Sequence, residues 1–301
     1  MNTPLKRIVI TPVFNESKVL LSVLERVKRH VDILIVSDDG STDGSKDSVH
    51  SWMKDQAGIY LISAASNRGT STALKKGYIL ILELLKAKII GPDDLVMEID
   101  SDGQHDPDDV PRLFDRWEEL GQVDVVLACR DFSNYPLHKV VGNRGLTVIA
   151  SALSGHRYTD VESNFRVMPA SVFEELLGYY CGYKYSAAFE VGVILPRLGY
   201  RVDNSFVVRV PFYRSGSRIR DGFHVVWMGC MAWWNTMLRR KYRDLEQWST
   251  EVRVELVNKL PVRVIAVQSR ERPKRVPRIR RPAADAPAGR YSRDLPGVTE
   301  D

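Results

Sequence analysis

Two aspartates one residue apart, Asp100 and Asp102, close the apolar run Asp94–Ile99 (DLVMEI). Alternate side chains of an extended chain share a side, so both carboxylates aim at one point beyond the strand end. Carboxylates crowded there repel unless protonated or bound to a cation. Hard oxygen ligands of this kind suit Mg2+ or Mn2+, and such an ion bridges to a phosphate-bearing substrate. Gln104 and His105 follow within reach and could complete or orient the group. The plainer reading is an acidic loop capping the helix that starts near Pro107. Asp106 and Asp108 suit that role better, because they flank the helix start.

Two further loops carry polar groups of the same kind. Asp38, Asp39, Gly40 and Ser41 follow the apolar run Val31–Val36. Two adjacent acids before a glycine present acceptors that could bind base N–H groups or ribose hydroxyls, or simply form an Asp-Gly turn. Asn67, Arg68 and Gly69 open a helical segment, where unpaired N–H groups and Arg68 could hold an anion. No G-x-G-x-x-G follows the first apolar run, and neither a Walker-A sequence nor a G-x-S-x-G elbow occurs. A dinucleotide oxidoreductase, a P-loop ATPase and an α/β-hydrolase therefore lose their expected grips. A nucleotide with a metal-bridged diphosphate is the natural ligand.

The elements that must position these loops alternate. β-branched runs at 6–11, 31–36, 59–62, 94–99 and 123–128 predict strands, and helical spacing predicts helices over 17–30, 43–56, 70–88 and 107–120. That order predicts an α/β fold with an open, mostly parallel sheet and helices on both faces. Ligands of such sheets bind outside the carboxyl ends of the strands, where all these loops fall.

The ordered set TPVFNE, VSDDGSTDGS, NRGTSTALKKGY and MEIDSDGQHDPDDVPRL resembles the inverting family 2 glycosyltransferases of the GT-A fold. The Q-H after D-x-D and the P-x-x-x-P that follows resemble most the dolichol-phosphate mannose synthase and polyprenyl-phosphate glycosyltransferase branch. The resemblance spans roughly residues 5–220. It implies that Pro12, Phe14 and Glu16 line the nucleotide pocket and that Asp38 and Asp39 hold base and ribose. Asn67, Arg68 and Gly69 would contribute to substrate binding. Asp100, Asp102 and Gln104 would hold a Mg2+ or Mn2+ ion and the donor diphosphate, with Asp102 catalytic. Arg130 stands for an arginine that faces the acceptor phosphate, and Lys139 and Asn143 fall in the acceptor loop. Asp160 and Ser163–Arg166 match D-x-x-S-G-F-R, with Asn164 where glycine is usual, a position that favours positive φ. Arg214, Ser217 and Arg218 resemble a shortened late motif that closes over the diphosphate.

The implied reaction moves a hexose to a polyprenyl or dolichyl phosphate, as mannose from GDP-mannose or glucose from UDP-glucose. A lipid phosphate is already anionic and needs only cationic positioning by Arg130 and Lys139. A hydroxyl acceptor on a protein, glycan or nucleic acid would need a carboxylate base, for which Asp160 and Glu162 are the candidates. Asp160 could instead pair with Arg166. A non-catalytic nucleotide-sugar-binding subunit is a third reading, weakened by the intact D-x-D.

The remaining chain divides by composition. The catalytic domain is expected over 1–220. Residues 221–248 hold the apolar run 222–238, with three of the six tryptophans, and then Arg239, Arg240, Lys241 and Arg243. The run suits a helix in a membrane interface, a core or subunit contact, or a tilted span. Residues 249–268 alternate like a β-hairpin. Residues 269–301 read as a disordered basic tail, since 270–281 hold seven Arg or Lys against Glu271. Of the net charge of +5, +4 therefore sits in that tail, and the body is near neutral. Three scattered cysteines without a C-x-x-C pair, and an N-terminus without a signal-peptide run, lead us to expect a cytoplasmic protein, peripheral on the membrane. A membrane-anchoring partner or a homo-oligomer fits that placement; nucleic acid is not expected as a partner.

Overall fold

A computed structural model describes residues 4–121, 123–211 and 219–241. Arg214, Ser217 and Arg218, the expected hairpin over 249–268 and the expected tail over 269–301 lie outside the described residues.

The first half alternates as the spacing predicts. It runs β1 (Arg7–Val13), α1 (Leu20–Lys28), β2 (Ile33–Asp38), α2 (Ser45–Trp52), a 3-10 turn (Met53–Asp55), β3 (Ile59–Ser63), α3 (Thr70–Lys86), β4 (Leu95–Glu98), α4 (Asp109–Leu120) and β5 (Val125–Leu127). The second half adds β6 (Cys129–Arg130), α5 (Leu137–Ser154), β7 (Arg166–Pro169), α6 (Val172–Leu177), α7 (Ala187–Arg197), β8 (Val202–Asp203), β9 (Val207–Val208) and α8 (Ile219–Met237).

Among the described residues the main sheet has the order β3-β2-β1-β4-β7-β5-β8, and β6 pairs separately with β9. β1 runs parallel to β2 and β4, whereas β7 lies antiparallel between β4 and β5. The central strands read as unbroken apolar runs because both sheet faces are covered. Ile8, Ile10, Ile33 and Ile35 pack towards Leu74 and Tyr78 of α3. Val9, Leu34 and Val36 pack on the other face with Leu24 of α1 and Phe114 of α4. α4 buries Val110, Leu113 and Phe114, the i, i+3, i+4 stripe of an amphipathic helix, and ends at Gly121 with φ 55°.

The reversed direction of β7 positions the site. The carboxyl ends of β1 to β5 meet at one sheet edge, and an antiparallel strand brings its amino end to that edge. Residues 160–165, just before β7, therefore arrive among the loops that follow the parallel strands.

Arg166 opens β7 and sits opposite Glu98 of β4. Both side chains are fully buried, and Arg166 Nη2 donates to Glu98 Oε2 at 2.7 Å. Tyr78 Oη donates to the other carboxylate oxygen at 2.9 Å. Arg166 was expected among the substrate-binding residues, with pairing to Asp160 as the alternative. It does neither, because cross-strand register fixes it within the sheet against Glu98. Arg166→Met strands the Glu98 charge in the core, and a loss of about 3–5 kcal/mol in urea unfolding is expected. An unchanged midpoint would refute a structural role for the pair.

Candidate active site

The loops at this edge enclose a cleft of about 500 Å3. The end of β1 contributes Pro12, Phe14 and Glu16, and Ser101 Oγ donates to the Pro12 carbonyl at 2.7 Å, tying that end to the D-x-D loop. Asp100, Asp102 and Gln104 form the floor beyond β4. Asp102 accepts the Gln104 N–H at 2.9 Å on one oxygen, and Asp100 accepts Asn164 Nδ2 at 3.3 Å on one of its own. Burial pushes both carboxyls above their usual range; Asp100 adds to the shift of Asp102, and Glu98 to that of Asp100. Glu16 is raised as well, by burial and then by Asp102.

Asp39 lines the cleft and Asp38 does not. The Asp38 carboxylate accepts the Gly40 and Ser41 N–H groups of its own turn. Asp39 Oδ2 accepts the N–H groups of Arg68 and Gly69 at 2.9 and 2.6 Å, and burial lifts its carboxyl. Its Oδ1 is buried without a partner.

The N-R-G segment differs from expectation for the same reason. Two of the N–H groups expected to hold an anion are already taken by Asp39, and the Ser71 N–H is taken by the Lys184 carbonyl at 2.8 Å. Asn67 and Gly69 line the cleft, while the Arg68 side chain is exposed outside it. Gly69 has φ 97°, and a Cβ there would lie 2.5 Å from the Lys184 backbone, so only glycine lets the two loops meet.

Arg130, Lys139 and Asn143 also line the cleft. Lys139 and Asn143 stand on α5, so this part of the expected acceptor loop is helical. Arg130 is held in a fork by Asp160, with Nε to Oδ2 at 2.8 Å and Nη2 to Oδ1 at 3.0 Å. The backbone N–H groups of Arg130 and Glu162 also donate to that carboxylate. Burial works against the Arg130 charge, but the Asp160 pair overrides it and holds the guanidinium above its usual value. Asp160 is fully buried and does not line the cleft, so its lone pairs are committed to orienting Arg130. A base role for Asp160 does not fit that arrangement.

Glu162 is better placed for a base. It lines the cleft, its Oε1 is buried without a partner, and burial pushes its carboxyl up to about 7. A raised folded value favours the protonated fold. The associated stability is therefore complete below the unfolded value near 4.5 and is lost as pH rises through about 7. Glu162→Gln is expected to raise Tm by a few degrees at pH 8 and to leave it unchanged at pH 4, read by scanning calorimetry. Equal shifts at both pH values would contradict the burial of this charge.

Tyr135, Tyr185 and Asn164 are among the cleft residues that the sequence does not single out. Tyr135 and Tyr185 line the cleft from irregular segments whose aromatic residues carried no spacing signal. Asn164 was noted only as a replacement for glycine. It is absent from the residues with positive φ, so the position makes no demand for glycine, and its side chain reaches Asp100.

The five carboxylates lining the cleft (Glu16, Asp39, Asp100, Asp102 and Glu162) share it with two basic side chains, Arg130 and Lys139. A diphosphate entering such a cleft needs added positive charge. Asp100 and Asp102 are oxygen donors of the type Mg2+ and Mn2+ prefer, and burial, before any neighbouring charge, raises both carboxyls, a cost that a bound cation relieves. Among the described residues no group of three or more His, Cys, Asp or Glu side chains converges as a metal site. The chain thus fits an ion completed by substrate oxygens and water, as Mg2+ sites commonly are.

The model of the family described as glycosyl transferase family 2 matches residues 8–177. UDP-N-acetylglucosamine–dolichyl-phosphate N-acetylglucosaminyltransferase of Methanococcus voltae is 28% identical over 210 residues, covering 62% of this chain and 78% of that one. Undecaprenyl-phosphate mannosyltransferase of Micrococcus luteus is 25% identical over 175 residues, covering 56% and 68%. Among solved structures, glucosyl-3-phosphoglycerate synthase of Mycobacterium tuberculosis, in complex with Mn2+, UDP and phosphoglyceric acid, shares the fold. Its TM-score is 0.54 at 19% identity, with 78% of each chain covered.

Proposed function

The chain belongs to glycosyl transferase family 2 and is a glycosyltransferase of the GT-A fold, and from that premise we propose that it moves a hexose from a nucleoside diphosphate to a polyprenyl phosphate with inversion. The observation that carries this reading is the meeting in one cleft of the Asp100 and Asp102 carboxylates with the basic side chains of Arg130 and Lys139. The names of the two relatives above, a dolichyl-phosphate and an undecaprenyl-phosphate sugar transferase, support the acceptor. Mannose from GDP-mannose is the first donor to test and glucose from UDP-glucose the second.

In the proposed reaction an acceptor phosphate oxygen attacks the anomeric carbon, and the bond from that carbon to the diphosphate breaks with its electron pair leaving on the diphosphate. Asp100 and Asp102, with Gln104 beside them, would hold the divalent ion. When bound, that ion supplies positive charge against the leaving group. Asp39, with its unpartnered Oδ1, would receive a donor from the base or ribose. Arg130, fixed by Asp160, and Lys139 would orient the acceptor phosphate, and no base is required. The acceptor would be met at a membrane, and the proposal takes the protein to work at its cytoplasmic surface; among the described residues no helix is long and apolar enough to cross one. Arg214 and Arg218 remain candidates for the diphosphate from outside the described residues, with Ser217 between them.

A second reading keeps the donor and takes a hydroxyl acceptor. The unpartnered Glu162 oxygen in the cleft favours it, because that is where a base would stand. The two readings separate on Glu162→Gln. Transfer to a lipid phosphate is expected to persist within about threefold in the variant, whereas a base on a hydroxyl acceptor contributes about 10²–10⁴-fold. The assay supplies each nucleotide sugar with Mn2+ and membranes and identifies the product by mass spectrometry after organic extraction. Label that remains with protein or polymer, and is lost in Glu162→Gln, would overturn the lipid reading.

A further inference from the structure

Helix α8 packs against α5 and α7 through Val225, Met228, Ala232 and Thr236. Its other face carries Phe223, Trp227, Trp234 and Met237, all exposed, followed by exposed Leu238. These fall at i, i+4, i+11, i+14 and i+15, one stripe of a helix pointing away from the core. The neighbouring helix α5 repeats the pattern. Leu137, Val141, Val148 and Ile149 are exposed at i, i+4, i+11 and i+12, with Val148 at 68%. Nine of the sixteen large exposed apolar side chains among the described residues belong to these two adjoining stretches. Scattered apolar residues need no explanation, but two touching helices turned apolar side outward do.

The surroundings indicate what covers this face. Arg239, Arg240 and Lys241 follow α8 directly and are exposed. An apolar stripe bearing tryptophans, with basic residues at its end, matches the boundary between lipid headgroups and acyl chains. Helix α5 borders the cleft, and α8 reaches a segment beside it. Lys139 and Asn143 of α5 line it, and Tyr183, two residues before cleft-lining Tyr185, contacts the ring of His224 on α8 at 6.2 Å.

We propose that the paired outer faces of α5 and α8 form one docking surface for an anionic phospholipid membrane, which sets the cleft mouth against the lipid headgroups. This rests on the lipid-phosphate reading above for its purpose, though not for its physics. Docking through α5 leaves a lipid acceptor with only its phosphate to bring past Leu137 and Val141 to Lys139. It also accounts for an outer face of α5 on which Leu137, Val141 and Val148 surround exposed Arg144, although its inner edge serves a polar cleft.

The test uses the full chain with vesicles of phosphatidylglycerol and phosphatidylcholine, without donor or acceptor, read by flotation. Partition is expected onto the anionic vesicles, reduced at least tenfold by Trp227→Glu or Val148→Glu and several-fold by a double Arg239→Gln, Arg240→Gln change. Circular dichroism checks that each variant keeps its fold; both apolar positions are exposed, so no core contact is lost. Undiminished partition in Trp227→Glu and Val148→Glu would overturn the proposal. So would an apolar face closed by a second copy, seen as a dimer that these variants dissociate without any vesicle binding by the parent. Transfer to a short-chain, water-soluble prenyl phosphate is measured in parallel. Its absence counts against the acceptor reading alone, and its persistence in variants that lose transfer to vesicle-embedded acceptor supports the docking surface.

Discussion

Asp102→Asn is expected to slow sugar transfer by about 10³-fold while the protein folds normally. Asp102 lines the cleft with Asp100, and burial lifts both carboxyls, with Glu98 adding to the shift of Asp100 and Asp100 to that of Asp102. Such a pair is costly without a cation, and a diphosphate beside it is costlier. Removing one negative oxygen weakens the grip on the ion, which supplies several kcal/mol against the charge of the leaving group; about 4 kcal/mol corresponds to about 10³ in rate. Steady-state kinetics across a Mn2+ series measures it. The variant is expected to lose no thermal stability, and to gain some at neutral pH, because Asp102 makes no ion pair among the described residues, its hydrogen bond is to the neighbouring Gln104 N–H, and a buried carboxylate with a raised value is removed. Full activity of Asp102→Asn in the presence of chelator would refute the metal assignment.

The second large effect is expected at Asp160. Asp160→Asn leaves Arg130 without the carboxylate that holds its guanidinium in a fork. A displaced positioning group costs about 10²-fold, and the loss should appear chiefly as a raised KM for the acceptor, with donor affinity unchanged. The fall is expected with either acceptor type, because Asp160 acts through Arg130. A loss confined to hydroxyl acceptors would restore Asp160 as a base. Stability is expected to drop towards the lower end of the about 3–5 kcal/mol that follows from opening a buried pair, since Arg130 retains some exposure to the cleft.

The parts of this site legible in the sequence are those fixed by local order. β1 to β5 and α1 to α4 follow from apolar period and turn residues, so the loops bearing Glu16, Asp39, Asn67 and Asp100 could be placed on one sheet edge. The second half was less legible for physical reasons. β6, β8 and β9 have two residues each and carry no period to detect. β7 runs antiparallel because of long-range pairing with β4 and β5, and no local feature of RVMP announces its direction. That single reversal decides which arginine meets which acid. Arg166 goes to Glu98 across the ladder, and Asp160 is left for Arg130, a pairing across thirty positions that spacing does not encode. Asp38 and Asp39 make the same point at closer range. They are neighbours of one type, yet one serves its own turn and the other the cleft, because alternate residues of a strand face opposite ways.

The central claim is that the carboxylates beyond β4 hold a cation that in turn holds the donor diphosphate. Calorimetric titration of GDP and UDP into the protein, with Mn2+ and again with chelator, tests it most directly. The account predicts at least tenfold tighter nucleotide binding with Mn2+ than without, and loss of that gain in Asp102→Asn. Equal affinity in Mn2+ and in chelator, for parent and variant alike, would contradict it.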